Sequence, residues 1–241
     1  MKLTVLGKYG PFPKANGGTS SYLLECEGKN ILLDAGEGSL SRLSAILKPE
    51  KLDAIVLTHS HYDHVCDIGV YNYYFEFLSK TGKEFKKPLL FFFDDGSPSL
   101  APARTSPYFE KVEIADGFIY DLGGVSLSFT KVNHPALCHA VTVRSEKTFV
   151  YSGDTNLCPA LEPLFSSADT FLAGGGFLFA DWTKEKPHLS VKHVSEFSKK
   201  FGNKSIISHL NPFYNEEDVK KEALLGGGNC VVAQEGETYL I

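Results

Sequence analysis

The sequence has no long apolar run, no paired cysteines and no excess of basic residues, and each absence removes a class of protein. Its apolar stretch at residues 89–93 is only strand-sized and is bounded by Pro88 and Asp94, far short of a membrane-crossing helix. Near the N-terminus Lys2 is followed by Gly7, Gly10, Pro11 and Pro13, which interrupt the chain too soon for a signal-peptide core, so the expectation is a cytoplasmic protein. The five cysteines, Cys26, Cys66, Cys138, Cys158 and Cys230, are odd in number and include no CxxC pair. Reduced thiols are therefore expected in place of a disulfide framework. Cys66 and Cys138 fall near candidate ligands and read as small buried hydrophobes. With 24 Lys and Arg against 29 Asp and Glu, the net charge of -5 offers no broad basic face, which weighs against extended nucleic-acid binding. No low-complexity tract, residue-level repeat or linker interrupts the 241 residues, and residues 1–241 read as one α/β domain.

What the chain does contain is Thr58-His59-Ser60-His61-Tyr62-Asp63-His64, directly after the apolar residues 54–57. The spacing is not the helical H-E-x-x-H of metalloproteases. In an extended segment alternate side chains share a side, so His59, His61 and Asp63 are expected to converge on one point with His64 close behind. Such a density of imidazole and carboxylate ligands points to a metal site, and one segment is too short to complete two coordination spheres.

In chain order, residues 2–6, 21–26 and 30–33 read as antiparallel strands, with a Gly-, Pro- and Asn-rich loop at residues 7–19. Asp34 ends the third strand, either as a turn residue or as a brace for a ligand histidine. Residues 40–47 show helical spacing that Pro49 stops, and residues 68–78 form an aromatic-rich helix whose Tyr71, Tyr74, Phe75 and Leu78 belong to the core or, in part, to the cleft. Residues 96–108, with Pro98, Pro102 and Pro107, read as a loop or lid-like stretch. Strands follow at 112–114, 118–120, 125–131, 140–143 and 148–151, then at 170–173, 205–207, 230–233 and 238–241. Helices are expected at 161–165, from a Ser190 N-cap to near Gly202, and at 215–225. His139 and His193 read as structural or exposed, and Tyr62 as a residue that shapes a pocket or packs.

Three later apolar strands also end on metal-ligand residues: Val132-Asn133-His134, Val150-Tyr151-Ser152-Gly153-Asp154 and Ile206-Ile207-Ser208-His209. Ligands at strand ends line one rim of a sheet, a common location for α/β sites. With these residues assembled, the sequence resembles the metallo-β-lactamase superfamily, whose motifs map to Asp34, the His59 to His64 cluster, His134, Asp154 and His209. The resemblance implies a four-layer αβ/βα sandwich in which each half gives one sheet and its outer helices. It also implies a dinuclear centre in which His59, His61 and His134 hold one metal, Asp63, His64 and His209 the other, and Asp154 bridges both. The donor set suits two divalent ions, zinc first, with manganese or iron tolerated.

Within the superfamily, the stretch from Leu6 through Pro11, Pro13, Asn16 and Ser20 resembles ribonuclease Z and related phosphodiesterases, as does Pro187-His188-Leu189-Ser190. By that resemblance Asp63 and His188 are the catalytic candidates, His188 protonating the leaving oxygen or touching the scissile phosphate. Two departures stand out. Gly174, Gly175 and Gly176 occupy the place of the acidic partner of that histidine, and only 19 residues separate His134 from Asp154, too few for the arm that grips transfer RNA. The expectation is a small phosphodiester cleaved by metal-bound hydroxide, in a protein with a small-molecule substrate and no membrane partner; relatives are often dimers, and the sequence itself leaves open whether this chain forms a homodimer. A lactone or thioester hydrolase is the alternative enzyme, and a metal-binding sensor or scaffold the non-catalytic one.

Overall fold

The computed structural model describes residues 1–241. One sheet contains β1 (Lys2–Gly7), β2 (Ser21–Cys26), β3 (Lys29–Leu33), β4 (Ala54–Val56), β5 (Leu89–Phe92) and β6 (Glu110–Glu113), with β14 (Thr238–Leu240) outside β1. The other runs through β7 (Ile119–Asp121), β8 (Ser126–Lys131), β9 (His139–Arg144), β10 (Thr148–Tyr151), β11 (Thr170–Gly174), β12 (Lys204–Ser208) and β13 (Asn229–Val232). Each sheet is antiparallel at first and becomes parallel from β3 to β6 and from β10 to β13. The parallel strands therefore present their C-terminal ends along a common rim.

Burial of both sheet faces explains the nearly unbroken apolar strands. In β2, Tyr22 and Leu24 enter the layer between the sheets while Leu23 enters the layer beneath the helices; in β4, Val56 and Ile55 divide the same way. The inter-sheet layer joins Leu3, Tyr22, Val56 and Phe91 to Leu127, Phe129, Val141 and Leu172. Outside the first sheet pack α1 (Ser39–Ser44), α3 (Ile68–Lys80) and α4 (Ala101–Thr105); α2 (Tyr62–Val65) lies at the rim. Outside the second pack α5 (Leu161–Ser167), α6 (Val191–Phe201) and α7 (Glu216–Leu225). Phe165 anchors this layer, its ring 3.6 Å from Phe171 and 4.8 Å from Phe197, and truncating so buried an aromatic costs about 3–5 kcal/mol. The result is the four-layer αβ/βα sandwich.

Four expectations are corrected. The halves are not separate, because β14 crosses back to pair with the open edge of β1, where Thr4 and Thr238 hydroxyls also meet at 2.8 Å. Residues 40–47 supply only the short α1, since the chain turns at Ala45 on backbone bonds to Arg42 and Leu43. Residues 96–108 are not a lid: they contain a 3₁₀ turn, Pro98–Leu100, and α4, held by the bidentate Arg104–Asp94 pair. The aromatic helix does not reach the cleft, for Tyr71 and Phe75 are core while Val70, Tyr73 and Phe77 face outward.

Candidate metal centre

The extended geometry expected for His59, His61 and Asp63 stops at His61, because Tyr62 begins α2 and the helical turn carries Asp63 and His64 away from the first two histidines. Two clusters result. Ligand atoms of His59, His61, His134 and Asp154 lie within 4.8 Å of one another, as do those of Asp63, His64, Asp154 and His209. Asp154 thus belongs to both. Its Oδ2 stands 3.5 Å from His59 Nε2, 3.2 Å from His64 Nε2, 3.8 Å from His134 Nε2 and 3.2 Å from His209 Nε2.

Neighbouring groups orient the rings. Asp34, fully buried at φ 56°, accepts hydrogen bonds from Thr58 N (2.8 Å), Thr58 Oγ1 (2.9 Å), Tyr151 Oη (2.7 Å) and His64 Nδ1 (2.7 Å). Donation from Nδ1 to Asp34 points His64 Nε2 at Asp154, so that loss of the Nε2 proton would turn a lone pair toward that carboxylate. Asp34 combines features of both expectations: a left-handed backbone conformation at the end of β3 and a carboxylate that meets His64. His59 Nδ1 lies 3.1 Å from Thr58 Oγ1, and His134 Nδ1 donates to Pro187 O at 3.1 Å, turning its Nε2 to within 3.1 Å of His61 Nδ1. From outside, Ser60 Oγ donates to Asp95 at 2.6 Å and Ser99 Oγ to Ser60 O at 2.5 Å, so Asp95 and the 96–108 stretch after it pin the motif. Gly10 leaves room for His209: a Cβ there would stand 2.1 Å from its Nε2.

A divalent ion fits these donors. His59 Nε2, His64 Nε2 and Asp154 Oδ1 are buried without hydrogen-bond partners, although buried polar atoms rarely stay unpaired. Ligands at metal distances of about 2.0–2.2 Å in a tetrahedron stand roughly 3.3–3.6 Å from one another, a range that the 3.1–3.8 Å spacings around Asp154 and Asp63 bracket. Electrostatics agree. Burial pulls His64 down, yet the carboxylates of Asp154, Asp63 and Asp34 outweigh it and lift the imidazole well above its usual value. His209 is lifted against burial by Asp154 and Asp63 to about 9. Burial opposes ionisation of Asp154, but His209, His64 and His188 hold it well below the usual carboxylate range. Burial, joined by His64, keeps His59 neutral.

Above the clusters is a cavity of about 250 Å³ lined by Pro11, His61, Asp63, His134, Pro135, Asp154, Pro187, His188 and His209. His188 Nδ1 lies 3.7 Å from Asp154 Oδ2, and burial pushes the ring down to about 3. A larger groove, about 640 Å³ beside Leu40, Val70, Tyr73 and Phe77, shares no residue with this site. Cys66 and Cys138 are not among the converging donors; burial pushes the Cys66 thiol up to about 12 and that of Cys138 well up. His193 closes a capping box with Ser190, His139 is buried, and Tyr62 is exposed beside the motif. Sequence reasoning missed the proline walls, Gly10 and Tyr151. Tyr151 had a signal, a phenol three residues before Asp154 at a strand end.

A family model described as the metallo-beta-lactamase superfamily matches residues 15–181. The chain belongs to the metallo-β-lactamase superfamily. Members are metal-dependent hydrolases, so the chain is a hydrolase of this superfamily with two clusters of candidate metal ligands. It is 28% identical over 239 residues to the probable metallo-hydrolase YhfI of Bacillus subtilis (strain 168), covering 98% of each chain. The crystal structure of YhfI superposes with a TM-score of 0.89 over 99% of this chain and 98% of that one, at 26% identity. Ribonuclease Z of Methanosarcina acetivorans is 22% identical over 298 residues, covering 98% of this chain and 96% of that one. A diphosphatase from the PhnP family shares the fold, with a TM-score of 0.77, 17% identity and coverage of 100% and 97%.

Proposed function

We propose that residues 1–241 work as one dinuclear metal-dependent phosphodiesterase domain acting on small phosphodiesters. The observation that carries the proposal is the Asp154 shared by two ligand clusters, at a small cavity that His188 also lines. His59, His61 and His134 with Asp154 would hold one divalent ion, and Asp63, His64 and His209 with Asp154 the other, zinc suiting this nitrogen-rich set. When bound, the two ions acidify water and neutralise charge on the phosphoryl oxygens.

The chain's own residues supply the rest. Pro11, Pro135 and Pro187 wall the cavity without offering hydrogen-bond donors, so substrate polar atoms turn toward the floor. Asp63 would be one of the residues that hold the second ion, and it keeps His209 in place through a 3.1 Å contact. As water oxygen bonds to phosphorus and the P–O bond to the alcohol breaks, an imidazole N–H of His188 would hydrogen-bond the departing oxygen, and the proton lost by the attacking water would end on that oxygen. The neutral ring suits it to hydrogen-bond donation in an otherwise cation-rich site. Small substrates are favoured because β9 and β10, a plain hairpin, fill most of the chain between His134 and Asp154. The names of the related ribonuclease Z and diphosphatase support phosphorus over carbon as the centre attacked.

The test uses metal-loaded protein on bis(p-nitrophenyl) phosphate and 2′,3′-cyclic nucleotides beside a lactone and a thioester. The phosphodiesters should turn over fastest, with His59→Ala abolishing turnover and His188→Ala lowering kcat on cyclic nucleotides by about 100-fold. Faster lactone or thioester hydrolysis, or no phosphodiester hydrolysis, overturns the proposal.

A further inference from the structure

His188 stands without a carboxylate of its own. Its Nδ1 has no hydrogen-bond partner, and the stretch where an orienting acid was expected is Gly174, Gly175 and Gly176. Gly176 lies against the ring: a Cβ at this position would stand 3.0 Å from His188 Cβ and 3.1 Å from Cγ. A side chain there would press on the ring, and the contacts that hold the ring run instead through the backbone of its own loop.

That loop, residues 183–189, has no helix or strand to stiffen it. Asn156 replaces that missing support. Its Nδ2 donates to Lys184 O at 3.0 Å and Lys186 O at 2.5 Å, while its Oδ1 accepts from Leu157 N at 2.7 Å and from Trp182 Nε1 at 3.2 Å. Both donors and both lone pairs of a buried carboxamide are thereby used. Trp182 Nε1 also donates to the carbonyl of His188 itself at 3.0 Å, and Leu189 N donates to Thr155 O at 2.8 Å. Trp182 is held in turn by His193, whose ring meets it edge-on at 4.3 Å within the capping box of α6. Neither Asn156 nor Trp182 lines the cavity.

We infer that Asn156 and Trp182 are positioning residues for His188, a backbone clamp in place of a direct acidic partner. The inference rests on the assignment of His188 as donor to the leaving oxygen. Asn156 follows Asp154 by two residues, so the clamp ties the loop that carries His188 to the strand end that carries the shared ligand. A catalytic group displaced by about 1 Å loses on the order of 100-fold in rate, which sets the size of the effect.

The experiment compares Asn156→Ala, Trp182→Phe, His188→Ala and the Asn156→Ala/His188→Ala double variant in the metal-loaded full chain. Two leaving groups are used: p-nitrophenolate, which departs without a proton, and the alkoxide of a 2′,3′-cyclic nucleotide, which needs one. Asn156→Ala and His188→Ala should each lower kcat on the cyclic nucleotide by about 100-fold and on bis(p-nitrophenyl) phosphate by less than about threefold, with KM little changed. Trp182→Phe, which keeps the ring packing and loses one donor, should lower kcat by about 10-fold. The double variant should be no slower than His188→Ala. Trp182 is the chain's one tryptophan, so its emission gives a readout independent of activity and metal. In metal-free protein emission should shift to the red in Asn156→Ala and stay unchanged in His188→Ala, whose backbone carbonyl remains. If His188→Ala alone leaves cyclic-nucleotide turnover intact, the assignment of His188 falls. If His188→Ala is impaired while Asn156→Ala is not, loses equally on both leaving groups, or slows the His188→Ala protein further, only the clamp is overturned.

Discussion

Replacing Asp34 by asparagine tests how the metal ligands are oriented, because it changes one atom without changing shape. The aspartate accepts four hydrogen bonds; the amide can accept on one side only. Its carbonyl oxygen keeps Thr58 N and the Thr58 hydroxyl, which already lies 3.1 Å from Oδ1, and the Tyr151 hydroxyl can turn to accept one of the two hydrogens of the new NH₂. His64 Nδ1 cannot turn. Facing a donor at 2.7 Å, it must accept, and the ring proton moves to Nε2, the atom that faces Asp154 at 3.2 Å and Asp63 at 3.5 Å. The second cluster then loses a lone pair. Groups that orient ligands are worth about 10–100-fold in metal affinity, or roughly 1.4–2.8 kcal/mol. His59 is linked to Asp34 only through the Thr58 hydroxyl, so the first cluster should be affected less. Chelator competition should therefore show two zinc-binding steps, one near wild type and one weaker by 10–100-fold. Two unchanged steps, or a larger loss at the cluster containing His59, would refute the role given to Asp34.

Gly10→Ala should leave about one ion per chain by elemental analysis, because its methyl would sit 2.1 Å from His209 Nε2; retention of two ions contradicts this. Metal-free protein should be most stable to heat near pH 6.5, the ordinary value for an unfolded histidine. His188, lowered to about 3, and His59 and His134, also lowered, withdraw stability as pH falls below 6.5. His209, raised to about 9, and His64, also raised, contribute fully below 6.5 and lose that contribution as pH climbs toward 9 and beyond. A Tm that rises steadily to pH 9 after chelation shows that the raised pair is misassigned.

Residues whose environment is set by their own strand were legible in the sequence. Ile55, Val56 and Leu57 before the motif, Val150 and Tyr151 before Gly153, and Ile206 and Ile207 before His209 announced strands buried on both faces, and the ligands sit where those strands end. Strand periodicity failed where the chain leaves the sheet. Nothing local marked Tyr62 as the start of α2, yet that single turn assigns Asp63 and His64 to a different cluster from His59 and His61. The first loop was readable only as glycine and proline, because what shapes it comes from more than 190 residues away: Gly10 N donates to Leu210 O, and the buried Lys8 pairs with Glu216 at 2.9 Å. The crossing of β14 to β1 was hidden for the same reason.

The distribution of charge bears on how such a cluster of carboxylates can be buried without an ion. Asp34, Asp63 and Asp154 are all buried at the meeting edge of the sheets, and three unpaired carboxylates there would each cost several kcal/mol. The neighbouring imidazoles divide the work. His64 and His209, each facing two or more carboxylates, are raised and carry protons as internal counter-ions, whereas His59, His134 and His188 are lowered and remain neutral. Without ions, His64 and His209 would thus supply the positive charge that the carboxylates of the proposed metal centre face. Metal binding at the proposed ligands would displace those protons, so affinity should rise with pH as His209, raised to about 9, and His64, also raised, lose them. Because both proton-bearing imidazoles belong to the cluster of Asp63, His64 and His209, that cluster bears the pH dependence, while the neutral His59 and His134 are ready to coordinate without losing a proton.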